Sequence, residues 1–289
     1  MRRGVAAALL PLLACLCAML PPLAARAQSP GAVPPALRGA WFSGECAAPD
    51  AMLQLTARAA ARLPEGGPAR LVRFISVQPQ GEWLVGTGGG PEAPRLMLRG
   101  EAQALQTAEP DGKLRDDRLP GNTPLADWRR CPAPPPAFAF RHGEGIAMLG
   151  TLETLEAGCA PPAGGVPACV DALLAAGDVS ADRLLSVAEL ARLLRGMAWI
   201  LAAAEDATPE RLLMAGGGGL VVGVVTARLL MDSLDYDGDH RLSAAELAQD
   251  RGTLSAGGGA AAGTPVSLEG AQDAVALLRG LVGGLLLGP

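Results

Sequence analysis

The chain has 289 residues, a formal net charge of −5, and 49% hydrophobic but only 3% aromatic residues. That length accommodates two modest domains, and the acidic balance, without a basic patch interleaved with aromatics, excludes a nucleic-acid-binding surface. Arginine supplies nearly all the positive charge, with Lys113 the lone lysine; together with the Ala, Gly and Pro excess this reads as the bias of a GC-rich bacterial genome.

The first element is a targeting segment. Arg2 and Arg3 form a positive n-region, Val5 to Leu20 an apolar h-region, and Ala25-Arg26-Ala27 a small-x-small cleavage site before Gln28. Pro11, Pro21 and Pro22 break the apolar run, which argues against a spanning helix. Leu12-Leu13-Ala14-Cys15 resembles a lipobox, so lipoprotein processing at Cys15 is the rival to cleavage after Ala27. Either route sends the chain to the periplasm or beyond. Residues 1–27 are the expected signal peptide, 28–157 a β-rich domain and 158–289 a helical domain.

Export changes how the cysteines read. Cys46, Cys131, Cys159 and Cys169 remain after processing, an even set in an oxidising compartment. Of the three pairings they allow, Cys46–Cys131 and Cys159–Cys169 place one bridge in each half. A zinc site has little support, with no C-x-x-C spacing and only His142 and His240 as histidines.

In the N-terminal half, 52–56, 71–77, 82–86, 95–99, 138–140 and 146–150 have strand character, separated by turn-rich stretches such as Pro64-Glu65-Gly66-Gly67-Pro68. Residues 57–61 read as a strand or a helical turn. The expected fold class is α+β: an antiparallel β meander, closed into a small barrel or folded as a sandwich, followed by an all-α domain. Gly39-Ala40-Trp41 resembles the early Trp segment of lipocalin-like barrels, which implies room for a small apolar ligand. The Gly86–Gly90 run lacks the Lys-Ser/Thr of a phosphate loop and reads as a hairpin turn. Arg141-His142 with Glu144 is a candidate acid–base group, but no nucleophile stands in a recognisable context, and the chain reads as a non-enzyme.

The acidic charge gathers in the C-terminal half. Asp235-Tyr236-Asp237-Gly238-Asp239-His240-Arg241-Leu242-Ser243-Ala244-Ala245-Glu246 places carboxylates at alternate positions and closes with a Glu. Such a loop can aim several oxygens at one hard cation, and its carboxylates repel one another without one. An apolar helical face (Val221, Val222, Val225, Leu229, Leu230) leads in, and Ser243 caps a helix leading out. This stretch resembles the EF-hand family. The resemblance implies calcium ligands at Asp235, Asp237 and Asp239, a backbone carbonyl at Arg241, a water-bridging position at Ser243 and a bidentate Glu246, with Leu242 pairing the loop to a partner.

EF-hands usually pair, and a second stretch fits the same register. Asp178, Ser180 and Asp182 fill the first, third and fifth positions, Leu184 the seventh, Ser186 the ninth and Glu189 the twelfth, with Leu185 matching Leu242. Both loops depart from the family at the sixth position, where Arg183 and His240 replace Gly. A left-handed backbone costs a non-glycine residue roughly 1–2 kcal/mol, so both sites are expected to bind more weakly; dissociation constants on the order of 10⁻⁴–10⁻³ M would suffice in a calcium-rich periplasm.

The loops start far apart, so an extra short helix is expected between 204 and 219. The apolar stretches 219–231 and 274–287 are each shorter than the roughly 20 residues of a membrane span and are interrupted by Arg228 and Arg279. They read as buried bundle helices, with no membrane span after signal removal. The expected function is an exported calcium-binding protein in which Ca²⁺ is mainly structural or modulatory. The rivals are a carrier of a small apolar ligand and a calcium-dependent protein that docks an envelope partner.

Overall fold

The computed structural model describes residues 31–91, 93–160 and 165–249. The expected signal peptide, Cys15 and the apolar stretch 274–287 lie outside the described residues. Through Leu247 the chain forms one compact unit.

Eight strands make a closed antiparallel barrel: β1 (Gly39–Glu45), β2 (Ala48–Leu55), β3 (Ala59–Pro64), β4 (Arg70–Gln80), β5 (Trp83–Gly88), β6 (Arg95–Gly100), β7 (Ala104–Ala108) and β8 (Leu125–Arg129). Each strand pairs with the next, and β1 returns to β8 through Phe42 opposite Arg129. Of the two architectures the meander allowed, the barrel is the one formed. Closure pairs each strand with two neighbours, although β1 and β8 share a single registered pair.

Alternation along the strands builds two cores. Trp41, Leu53, Leu55, Ala60, Val72, Phe74, Leu98 and Trp128 fill the barrel interior. The outward residues Phe42, Met52, Ala61 and Leu63 are buried too, against Phe138, Leu149, Trp199, Ile200 and Leu212 of the helices. β1 to β3 are therefore apolar on both faces. Beside Leu53, Val72 and Trp128 the interior leaves a void of only about 10 Å³, and a cleft of about 280 Å³ lies among Arg62, Thr107, Glu109, Leu125 and Trp128. At one end the Arg130 guanidinium lies 3.9 Å from the Trp41 ring centroid, and the Trp41 indole N–H donates to the Leu37 carbonyl at 2.8 Å. Near the Trp128 end, Glu109 pairs with Arg70 at 2.9 Å and approaches Arg62 at 3.8 Å.

Among the described residues six α-helices follow: α1 (Pro136–Cys159), α2 (Gly165–Gly177), α3 (Val187–Ala204), α4 (Pro209–Leu213), α5 (Gly219–Leu234) and α6 (Ala244–Ala248), with a π-helical turn at Met214–Gly218 between α4 and α5. α4 is the short helix expected between the loops. The strands expected at 138–140 and 146–150 are instead parts of α1. Pro136 sits in the first turn of that helix, where a missing N–H costs nothing, and Phe138, His142, Gly145 and Leu149 recur at helical spacing on its buried face. Windows of three to five residues cannot separate that period from a strand's.

α1 is fastened to the barrel. The Glu153 carboxylate accepts from the backbone N–H of Arg58 at 2.8 Å and of Ala57 at 3.2 Å, and from the Thr56 hydroxyl, so it caps the β2–β3 turn. Arg141 forks onto Glu65 at 2.7 and 2.9 Å. α3 packs between α1 and α5. The α1–α3 crossing is close because of Gly145: a Cβ there would lie 2.0 Å from the Trp199 ring.

Both disulfides join the favoured pairs, Cys46–Cys131 and Cys159–Cys169. The first ties the β1–β2 turn to the residue that ends the barrel, across the seam where β1 and β8 share one registered pair. The second links the end of α1 to α2.

The expectation of a buried bundle helix over 219–231 is met on one face of α5 and corrected on the other. Ala227 and Met231 are 0% exposed against α3, but Val221 is 70%, Val225 53% and Leu229 61% exposed. α3 covers one side of α5 only, and among the described residues nothing covers the other. The helical segment Pro209–Leu234 has 26 residues and a mean hydropathy of 1.7, long and apolar enough to cross a membrane by length and composition.

Candidate functional site

Two loops of like shape lie side by side, each between helices. The first, 178–189, runs from α2 into α3; the second, 235–246, runs from α5 into α6. Leu185 and Leu242, both 0% exposed, exchange two backbone hydrogen bonds of 2.9 Å each and form a two-residue antiparallel bridge. The apolar eighth position of each loop is therefore where the pair is joined.

Each exit helix is capped by its loop. The Ser186 hydroxyl accepts from the Glu189 N–H, and the Glu189 carboxylate accepts from the Ser186 N–H at 2.8 Å, a reciprocal capping box. Ser243 and Glu246 repeat these contacts at 2.8 and 3.3 Å. The other oxygen of Glu189 accepts from the N–H of Val179 and Ser180 at 2.8 and 3.0 Å. That of Glu246 accepts from Tyr236 at 2.9 Å. Both glutamates are buried. Burial pushes the Glu189 carboxyl up, but the donors from Ser186, Ser180 and Val179 outweigh it and hold the group at about 2. The Ser243 N–H leads the same effect at Glu246, lowering its pKa against the cost of burial.

The aspartates hold the turns. Asp178 accepts from the N–H of Asp182 at 3.3 Å and of Arg183 at 2.6 Å, and from the Ser180 hydroxyl at 3.2 Å. Asp235 accepts from Gly238 at 2.8 Å and His240 at 2.9 Å. Asp237 and Asp239 accept from the N–H two residues on, at 3.1 and 2.8 Å, and Asp182 accepts from Leu184 at 3.0 Å. At the sixth position Arg183 and His240 both stand at φ +64°, the left-handed turn that glycine favours.

The structure brings some of the expected residues together and not others. Asp235, Asp237 and Asp239 place carboxylate oxygens within 4.8 Å of one another. Glu246 and Ser243 close on each other, and Glu189 and Ser186 do likewise. In the first loop Ser180 is bound to Asp178, Leu184 presents its N–H to Asp182, and the three carboxylates are each engaged by their own loop. The donors in both loops are oxygens, with no thiolate and no imidazole among them, and this hard set fits calcium or magnesium rather than zinc or copper. Sequence reading treated Arg241 as a carbonyl donor only; its guanidinium crosses to the Asp182 carboxylate of the other loop. No spacing within one loop signals a contact that joins two.

The candidate acid–base group of α1 is dispersed. His142 is 2% exposed and accepts from the Trp199 indole N–H at 3.3 Å. Glu144 is forked by Arg195 at 2.7 and 2.8 Å, while Arg141 goes to Glu65. Burial, with the neighbouring Arg141 charge, pushes the His142 pKa down to about 4. His142 is thus a neutral core residue of α1 rather than half of an acid–base pair with Glu144.

No protein-family model matches this chain, and no curated protein or solved structure matches it.

Proposed function

We propose that the chain is an exported calcium-binding protein whose two EF-hand loops take the cation to brace the helical half. The reading is supported above all by the pairing of two helix–loop–helix units through Leu185 and Leu242, beside the Asp235, Asp237 and Asp239 cluster. Asp235, Asp237, Asp239, Glu246 and the Arg241 carbonyl would hold the ion in the second loop, with Ser243 through water. Asp178, Ser180, Asp182, Glu189, Ser186 and the Leu184 carbonyl would do so in the first. A bound cation would offset the repulsion among these carboxylates. Because it binds the folded chain, it would stabilise the fold by RT ln(1 + [L]/Kd), about 2.7 kcal/mol at a hundredfold excess over Kd. The signal-like N-terminus and the two disulfides support an oxidising, extracytoplasmic home.

The packed barrel interior speaks for a structural β half rather than a carrier. The rival of a calcium-dependent docking protein is favoured by one observation, the apolar outer face of α5 around Val221, Val225 and Leu229. Thermal unfolding of the chain from Gln28 in calcium, magnesium and chelator tests the main reading. A rise in Tm with millimolar calcium is expected, and an unchanged Tm would refute the bracing role. Calcium-dependent fluorescence of an apolar dye would move the argument to the docking role.

A further inference from the structure

Resting on the calcium reading, we infer that Arg241 is a tethered cation that competes with metal for the first loop, so that the two loops are coupled and the second fills first. Arg241 belongs to the second loop, yet its guanidinium pairs with Asp182, the fifth-position carboxylate of the first. Asp182 then has both oxygens engaged, one by Arg241 and one by the Leu184 N–H at 3.0 Å. The remaining first-loop carboxylates, Asp178 and Glu189, are held by backbone donors.

The loops therefore face a metal unequally. The second carries four carboxylates, none of them in an ion pair with an arginine: the basic side chain beside them is His240, with Nδ1 3.7 Å from Asp235. The first carries three carboxylates, one already matched by a full positive charge. Arg183 adds no contact of that kind, since it lies 4.0 Å from Asp171 of α2. A divalent ion entering the first loop must displace the guanidinium from Asp182 or bind beside it against like-charge repulsion. The pair is partly exposed, with side chains 44% and 34% accessible, so water screens it and the competition is modest. Arg241 also contributes its backbone to the second loop, where its N–H holds Asp239 at 2.8 Å. One residue thus belongs to one site through its main chain and restrains the other through its side chain.

The test isolates the first loop. Asp237→Asn with Asp239→Asn weakens the second while keeping the acceptor oxygens that hold its turns. Calcium titration calorimetry then compares this parent with the same chain carrying Arg241→Gln. The first-loop Kd is expected to fall about two- to fivefold on Arg241→Gln, the range of a partly exposed ion pair. The metal-free Tm should drop slightly as the inter-loop pair is lost. A lower Tm with unchanged first-loop affinity makes the pair purely structural and overturns the inference. So does a parent that binds no calcium and stays silent with Arg241→Gln, while the wild type still binds at the second loop. A wild type that binds no calcium at either loop instead overturns the calcium reading, and this inference with it.

Discussion

His240→Gly separates two ways in which the sixth-position departure can act. A non-glycine residue in the left-handed region costs roughly 1–2 kcal/mol, with His toward the low end. If the loop entered that conformation only on binding metal, relieving 1.4 kcal/mol would tighten calcium about tenfold. His240 and Arg183 both stand at φ +64°, fixed by N–H bonds to their own loops' aspartates, Asp235 at 2.9 Å and Asp178 at 2.6 Å. These bonds come from the loop itself, so the turn is set without help from a cation, and its strain should be common to the free and bound states. On that reasoning glycine at the sixth position should not tighten calcium binding. Glycine also raises the entropy of the unfolded chain, at a cost of about 0.4–1 kcal/mol. His240→Gly should thus stabilise the metal-free protein by about 0.5–1 kcal/mol and change the calcium Kd by less than about twofold. Urea unfolding in chelator and calcium calorimetry read the two quantities separately. Arg183→Gly is the parallel case without an imidazole. A tenfold tighter Kd with unchanged stability would refute the reasoning.

Three other outcomes are expected. Gly145→Ala drives a methyl to 2.0 Å from the Trp199 ring and should cost about 2–3 kcal/mol by urea unfolding; a gain of about 1 kcal/mol, as for an exposed helix site, would mean α1 and α3 do not cross there. The His142 pKa near 4 lies below its ordinary 6.5, so the unfolded chain binds the proton first. Stability should fall as pH drops from 6.5 to 4, by at most about 3 kcal/mol, and His142→Gln should flatten that slope in a pH series of unfolding midpoints. Replacing Cys46 and Cys131 together by Ala should cost about 2–5 kcal/mol, because the bridge closes the barrel seam across a separation of 85 residues; an unchanged midpoint would show the seam holds without it.

Much of the architecture was legible because period and turn chemistry agreed. β4, β5 and β6 are apolar, β-prone runs bounded by Gly- and Pro-rich turns, and each falls where strand character was read. β1 and β3 were hidden because both of their faces are buried, one in the barrel and one under α1 and α3. The polar half of the alternation is missing, and the alanines of β3 read equally as a helical turn. α1 was split into strands because Gly143, Gly145 and Gly150 interrupt its apolar pattern, although Gly145 is required by Trp199 across the helix crossing. In the loops, the alternating Asp positions, the eighth-position leucines and the Ser243 cap were visible, since each is a local relation within twelve residues. The guanidinium of Arg241 on Asp182 was not, and neither was the exposure of α5, since both depend on how separate elements meet.

The central claim is tested most directly by calorimetric titration of calcium into the chain from Gln28, prepared with chelator and freed of it. The account predicts saturable heat at millimolar calcium or below, from two sites of unequal affinity, with the tighter one lost on Asp237→Asn together with Asp239→Asn. No heat at millimolar calcium would contradict it.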